Sequence, residues 1–217
     1  MEQERLTELC GVIDTLLGEN GCAWDKAQTF ESLKPHLLEE CYEAAEAIDK
    51  NDKNSLQDEL GDLMLHIIMY SRIAAKDKSF SLEDVFAGAS KKLIRRHTHI
   101  FGSDTAETPS DVVGIWDANK LKEKALSTAY ENMLDVPKAL PALMRAQKVI
   151  KRSGRDFNEN ELKNEIHKLL DNTAADDTES YGKLLFLVSA YLTKMQINAE
   201  ISLTNATLTF INSFKDK

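Results

Sequence analysis

The chain has 217 residues, 42% hydrophobic and 29% charged, a balance that excludes intrinsic disorder and suits one large domain or two small ones. Only 9 Gly and 4 Pro are present, roughly half their usual combined share of about 12%, which argues against turn-rich β-sandwiches and barrels and for long helices. A net charge of −9, from 36 acids against 27 bases, disfavours duplex nucleic acid as a partner.

In chain order, a first helix is expected over residues 2–17, ending at Gly18, with the loop ENGCAWDKAQT after it. Residues 31–50 read as an amphipathic helix: Leu37, Leu38, Cys41, Ala44, Ala45 and Ile48 share one face and Glu39, Glu40, Glu43 and Glu46 the other. Ser55 starts the next helix through a capping-box-like Ser55-x-x-Asp58, and that helix runs to about Ala75. A third runs from Ser81 to about His99, and residues 102–111 form a loop. A helix over 112–126 follows, then Pro137 and Pro141 mark a new start before helices at 141–152, 159–171, 179–195 and 199–214. No alternating strand pattern occurs, so the fold class is all-α. No apolar run reaches the roughly 18–20 residues of a membrane span, and the segment MEQERLTELC lacks the shape of a signal peptide. Three cysteines (Cys10, Cys22, Cys41) without metal-ligand spacing fit a reducing cytoplasm.

The charge is patterned. Residues 31–62 hold ten acids against three bases, whereas 91–101 hold Lys91, Lys92, Arg95 and Arg96 with no acid. Within the acidic stretch, Glu40 and Glu43 are spaced i, i+3, with Glu39 beside Glu43, and Glu59 and Asp62 repeat that spacing on the next helix. A connection at Asn51–Asn54 is short enough to make the helices antiparallel neighbours, so the two pairs of carboxylates can converge. Four oxygen donors in one place suit a hard divalent cation such as Mg²⁺ or Mn²⁺. Alternatively, Glu39–Glu46 form the solvated face of an amphipathic helix, and Glu59 answers a helix dipole. Asp62 is harder to explain that way, because Leu60, Leu63, Met64, Leu65, Ile67, Ile68, Met69 and Tyr70 predict a mostly buried helix around it. Asp58 reads as a capping residue. The basic cluster is either a phosphate site or a solvated helix end. Trp24 and Trp116 are either core or ligand contacts, His97 and His99 either approach a phosphate or are structural, and His36 and His66 read as packing or surface groups.

EExxE at 39–43 followed by ExxD at 59–62, with 15 residues between Glu43 and Glu59, resembles the all-α nucleoside triphosphate pyrophosphohydrolases, and specifically the MazG family. GCAWDKAQTFESLKPHLLEECYEAAEAI (21–48) is similar to that family's opening block, KKLIRRHTHIFG (91–102) to its basic block, and Trp116 with Lys120 to its closing W-x-x-x-K. The resemblance covers roughly residues 1–125 closely. It implies helical-bundle units, Mg²⁺ (or Mn²⁺) held by Glu40, Glu43, Glu59 and Asp62, and an accessory Glu39 that helps orient the attacking water. It further implies triphosphate binding by Lys92, Arg95 and Arg96, substrate contacts from Trp24, Trp116 and Lys120, and a homodimer. The implied reaction is hydrolysis of (deoxy)nucleoside triphosphates to monophosphate and pyrophosphate, a house-cleaning of nucleotide pools. The rival expectations are a silent nucleotide- or metal-binding module, or a pyrophosphatase selective for one substrate such as dCTP, dUTP or phosphoribosyl-ATP.

A weaker internal likeness pairs LGDLMLHIIMY (60–70) with YGKLLFLVSAY (181–191). It predicts two tandem MazG-like units, catalytic at 1–127 and degenerate at 135–217. In the second, Lys183 stands at the place of Asp62, Ser180 at that of Glu59 and Lys168 at that of Glu43, with Glu165 alone matching Glu40. Long members of the family are regarded as active in the second unit; here it has lost its acids, which predicts a supporting or dimerising role.

Overall fold

The computed structural model describes residues 2–215, all of whose regular elements are helices. The chain divides after Thr105 into two compact units.

The first unit holds α1 (Glu2–Leu17), α2 (Ala23–Lys26), α3 (Phe30–Asp49), α4 (Lys53–Lys76), α5 (Leu82–Arg96) and α6 (Thr98–Phe101). After α1 the chain reverses so tightly that a Cβ on Gly21 would collide with the Leu16 carbonyl. A reciprocal capping box starts α3: the Thr29 hydroxyl accepts from the Ser32 N–H, and the Ser32 hydroxyl accepts from the Thr29 N–H. The cap of α4 is Asp52, whose carboxylate accepts from the N–H groups of Asn54 and Ser55, both at 3.1 Å. The expected start at Ser55 is therefore a turn late, and Asp58 does not cap. The whole connection is Lys50–Asp52, with Asn51 in the left-handed region at φ 54°. Ile13, Leu33, Ile68, Met69 and Leu82 form the core, which α1, α3, α4 and α5 all enter. Arg72 on α4 donates from Nε (2.6 Å) and Nη2 (3.0 Å) to the Asp14 carboxylate, tying α1 to α4.

The second unit holds α7 (Pro109–Glu123), α8 (Ala129–Leu134), α9 (Ala142–Ser153), α10 (Glu159–Asn172), α11 (Thr178–Lys194) and α12 (Ala199–Asn212). Its core is Ile150, Leu162, Leu187 and Ala190. Buried Gln147 joins α9 to α12, donating to the Ile197 carbonyl (2.8 Å) and accepting from the Ala199 N–H (2.9 Å). The division at Thr105 lies upstream of the expected boundary at 127–135, so the helix bearing Trp116 and Lys120 groups with the second unit. Short α8 falls where a plain joint was expected. Asp135 at its end anchors it, accepting from Lys124 (2.5 Å) and Arg152 (2.8 Å).

Two expectations about faces are corrected. On α3 the buried residues are Leu33, Ala44 and Ala47, a stripe that includes half-buried Glu40 and leaves Leu38, Cys41, Tyr42, Ala45 and Ile48 exposed. Sequence hydrophobicity placed the packing face some 80° away, because it followed Leu38, Cys41, Ala45 and Ile48 and set Glu40 on the opposite side, whereas the helices approach closely along Ala44 and Ala47. Likewise α4 is not enclosed around Asp62: Leu60 is 54% exposed and Asp62 itself is exposed. Burial therefore does not explain that carboxylate.

Candidate metal centre on the first hairpin

Helices α3 and α4 run antiparallel along their length. The stripe that packs against α4 advances as 33, 37, 40, 44 and 47, so Glu40 falls on the seam between two apolar turns, while Glu43 lies at its edge. From α4, Glu59 enters the same seam about two turns after the cap. One carboxylate oxygen from each of Glu40, Glu43 and Glu59 lies within 4.8 Å of the others. Asp62, one turn beyond Glu59, is close enough to act electrostatically on both Glu40 and Glu59.

The charges oppose one another. Partial burial pushes the Glu40 carboxyl above its ordinary value, and the neighbouring charges of Asp62, Glu43 and Glu59 push it further. Glu59 is also raised, first by partial burial and next by the charge of Glu43, against a hydrogen bond from Glu40 that lowers it. The interaction between the two carboxyl groups thus raises Glu40 and lowers Glu59. A cation entering such a set would offset both the burial and the mutual repulsion, and several hard oxygen donors match Mg²⁺ or Mn²⁺.

Other expected site residues are more scattered. Glu39 is exposed on the flank of α3, its Oε2 3.5 Å from His36 Nδ1. Trp24, 56% exposed on α2, sets its ring edge-to-face against His36 at 6.0 Å, one helical turn before Glu40. An aromatic plate and an imidazole therefore adjoin Glu39 on the flank of α3, His36 being the exposed, packing residue that was expected. His66, four residues after Asp62, is buried, and its Nδ1 has no hydrogen-bond partner among the described residues. Burial, then the charge of His36, lowers its pKa, with Asp62 acting in the opposite sense. The ring lies 6.3 Å from that of Tyr70, which stacks on Phe30 at 5.8 Å.

Of the basic residues on α5, Lys92 and Arg95 are exposed whereas Arg96 is only 8% exposed. The helix stops at His97 (φ −99°, ψ 56°), whose Nδ1 lies 2.8 Å from the Leu93 carbonyl, and the basic segment bends there rather than continuing to His99. Trp116 and Lys120 lie on α7 of the other unit. Burial first, then the positive charges of Arg152 and Lys124, lower the Lys120 pKa.

Comparison with known proteins bears on this geometry. Residues 28–101, which contain the whole carboxylate set and all of α5, match the MazG nucleotide pyrophosphohydrolase domain. The chain is 35% identical over 212 residues to the nucleoside triphosphate pyrophosphohydrolase of Escherichia coli K12, covering 91% of this chain and 81% of that protein. It is 32% identical over 217 residues to the nucleoside triphosphate pyrophosphohydrolase/pyrophosphatase MazG of Thermotoga maritima, covering 96% and 83%. It is also 43% identical over 141 residues to the uncharacterised protein YabN of Bacillus subtilis, covering 64% of this chain and 28% of that one.

Proposed function

We propose, from the premise that this chain belongs to the MazG nucleotide pyrophosphohydrolase family, that its first unit carries out Mg²⁺-dependent hydrolysis of (deoxy)nucleoside triphosphates to nucleoside monophosphate and pyrophosphate. The observation that carries this reading is the convergence of Glu40, Glu43 and Glu59 with Asp62 alongside. The residues fit the ion: four carboxylates on two helices, two of them with pKa values raised by partial burial and then by neighbouring negative charge.

Glu40, Glu43, Glu59 and Asp62 would hold the ion, which supplies charge neutralisation and orientation of the phosphates and acidifies a nearby water. Glu39, exposed at the flank, is placed to orient the attacking water and accept its proton, with His36 steadying its carboxylate. Lys92 and Arg95 offer the positive charge that a triphosphate needs, the planar Arg fork in two-pronged fashion. Arg96, mostly buried, is a triphosphate contact by family resemblance. Trp24 presents a face for a nucleobase. Lys120 and Trp116 are substrate contacts by family resemblance.

The protein acts as a homodimer. This rests on apolar side chains left open on α3 and α4 (Leu38, Tyr42, Ile48, Leu60, Ile67) and on α12, where Ile201, Leu203, Leu208, Phe210 and Ile211 are all at least half exposed. Helices this apolar are covered in a working protein. A cytoplasmic site of action, clearing unwanted triphosphates, suits the free thiols of Cys10, Cys22 and Cys41. No helix among the described residues is long and apolar enough to cross a membrane.

The test is pyrophosphate release from a panel of ribo- and deoxyribonucleoside triphosphates, with Mg²⁺, with Mn²⁺ and with chelator. Release that depends on the metal in wild type and disappears in Asp62→Ala supports the reading. Metal-independent release, or none from any triphosphate, overturns it.

A further inference from the structure

The second unit contains a hairpin built like that of the first. On α4 the buried residues His66, Ile68 and Met69 lie 121 positions before Leu187, Ser189 and Ala190, which are buried on α11. The same spacing sets Asp62 against Lys183. On the preceding helices, Leu37 and Glu40 correspond to Leu162 and Glu165, both shifted by 125 positions. If the pairing holds, Glu165 and Lys183 should face one space, as Glu40 and Asp62 do. They do: both line a cavity of about 720 Å³, a size that suits a small-molecule ligand.

The contents of that cavity differ from those of the first site in a way that selects a ligand. Phe157 and Phe186 give it aromatic walls. The Arg155 guanidinium lies 4.9 Å from the centre of the Phe157 ring, and Lys183 forms no ion pair among the described residues. Asp156, also in the lining, is occupied by Lys194 at 2.6 Å. Two carboxylates remain, Glu161 and Glu165, without a cationic partner among the described residues. With one carboxylate left from the set of four and an ammonium at the Asp62 position, a divalent cation has no cage here, and the Lys183 ammonium supplies positive charge where the first hairpin has a place for a metal ion. Two cations match a single phosphate group of about −1.5 to −2 charge. A triphosphate, with about twice that charge, would meet Glu161 and Glu165 without Mg²⁺ to screen it. The carboxylates suit the amino edges of a base lodged between the phenylalanines.

We infer that the α9–α10–α11 cavity is a metal-independent binding site for a nucleoside monophosphate, the class of product released by the reaction assigned to the first unit. It holds that ligand without hydrolysing it. The product's identity rests on the proposed function, but the binding does not, so the test separates the two. Equilibrium dialysis of the full chain in chelator, with labelled ribo- and deoxyribonucleoside monophosphates at up to about 1 mM, is expected to show saturable binding at one site per chain. Binding should weaken about tenfold or more in Lys183→Glu, which alters an exposed residue, and in Phe186→Ala. It should persist in Asp62→Ala. No saturable binding by any monophosphate, binding indifferent to Lys183→Glu, loss in Asp62→Ala, or tighter binding of triphosphates than monophosphates in chelator would each overturn the inference.

Discussion

Two hairpins of similar build, α3–α4 and α10–α11, carry opposite chemistry. The first packs Leu33, Ile68 and Met69 into a core and opens a seam in which acids gather. The second packs Leu162, Leu187 and Ala190 and opens a cavity in which acids and bases are mixed. The apolar positions survive in both because each hairpin must bury its own stripe to fold. The polar positions are free to change because no packing depends on them. Fold and function are thus written in different residues of the same helices.

The sharpest way to break this contrast is by the acids. Asp62→Ala or Glu59→Gln should reduce metal-dependent pyrophosphate release about a hundredfold or more, while Lys168→Ala, at the place of Glu43 in the second hairpin, leaves it unchanged. Equal losses in a steady-state assay would show both hairpins at work. Next come the cores. Ile68→Ala and Leu162→Ala each remove a buried side chain and should cost about 2–5 kcal/mol in the unit concerned, read by chemical denaturation.

A smaller effect sharpens the comparison through pH. Glu40 and Glu59 have folded-state values above the ordinary 4.5, so protons compete for the site at a higher pH than for isolated carboxylates. Mg²⁺ affinity, measured by calorimetry, should fall as pH drops and be half lost above pH 4.5. Because the fold favours the protonated form, ionisation destabilises the metal-free protein above these raised values. Glu40→Gln should therefore raise its melting temperature at pH 7, with the difference vanishing as the pH falls through the ordinary carboxylate range. Glu165→Gln, whose partner position holds a lysine, should give no such gain. Smallest is the cap: Asp52→Ala removes acceptors for two backbone N–H groups and should cost about 1 kcal/mol in thermal unfolding.

Much of the architecture was legible before any coordinates. Hydrophobic period and sparse Gly and Pro marked most of the long helices to within a few residues, and the i, i+3 acids on adjoining helices marked the site. What failed did so for physical reasons. Asp52 out-competed Ser55 as cap because its carboxylate reaches two N–H groups at once. Leu60 and Asp62 are open where an apolar sequence suggested enclosure, since hydrophobicity records what a residue avoids and not whether this chain alone can cover it. Arg96 is buried beside exposed Lys92 and Arg95, a distinction set by tertiary packing that charge counting misses. The Trp24 ring that packs against His36 comes from a separate short helix, and no linear spacing announces that contact.

The link between α3 and α4 has a consequence for engineering. It is only Lys50–Asp52, with Asn51 already in a left-handed conformation, so there is no slack to absorb an added residue. An insertion there would slide one rod past the other and pull Glu59 out of step with Glu40, whereas Thr173–Asp177, the looser bridge in the other half, offers a safer point for grafting a tag or a reporter.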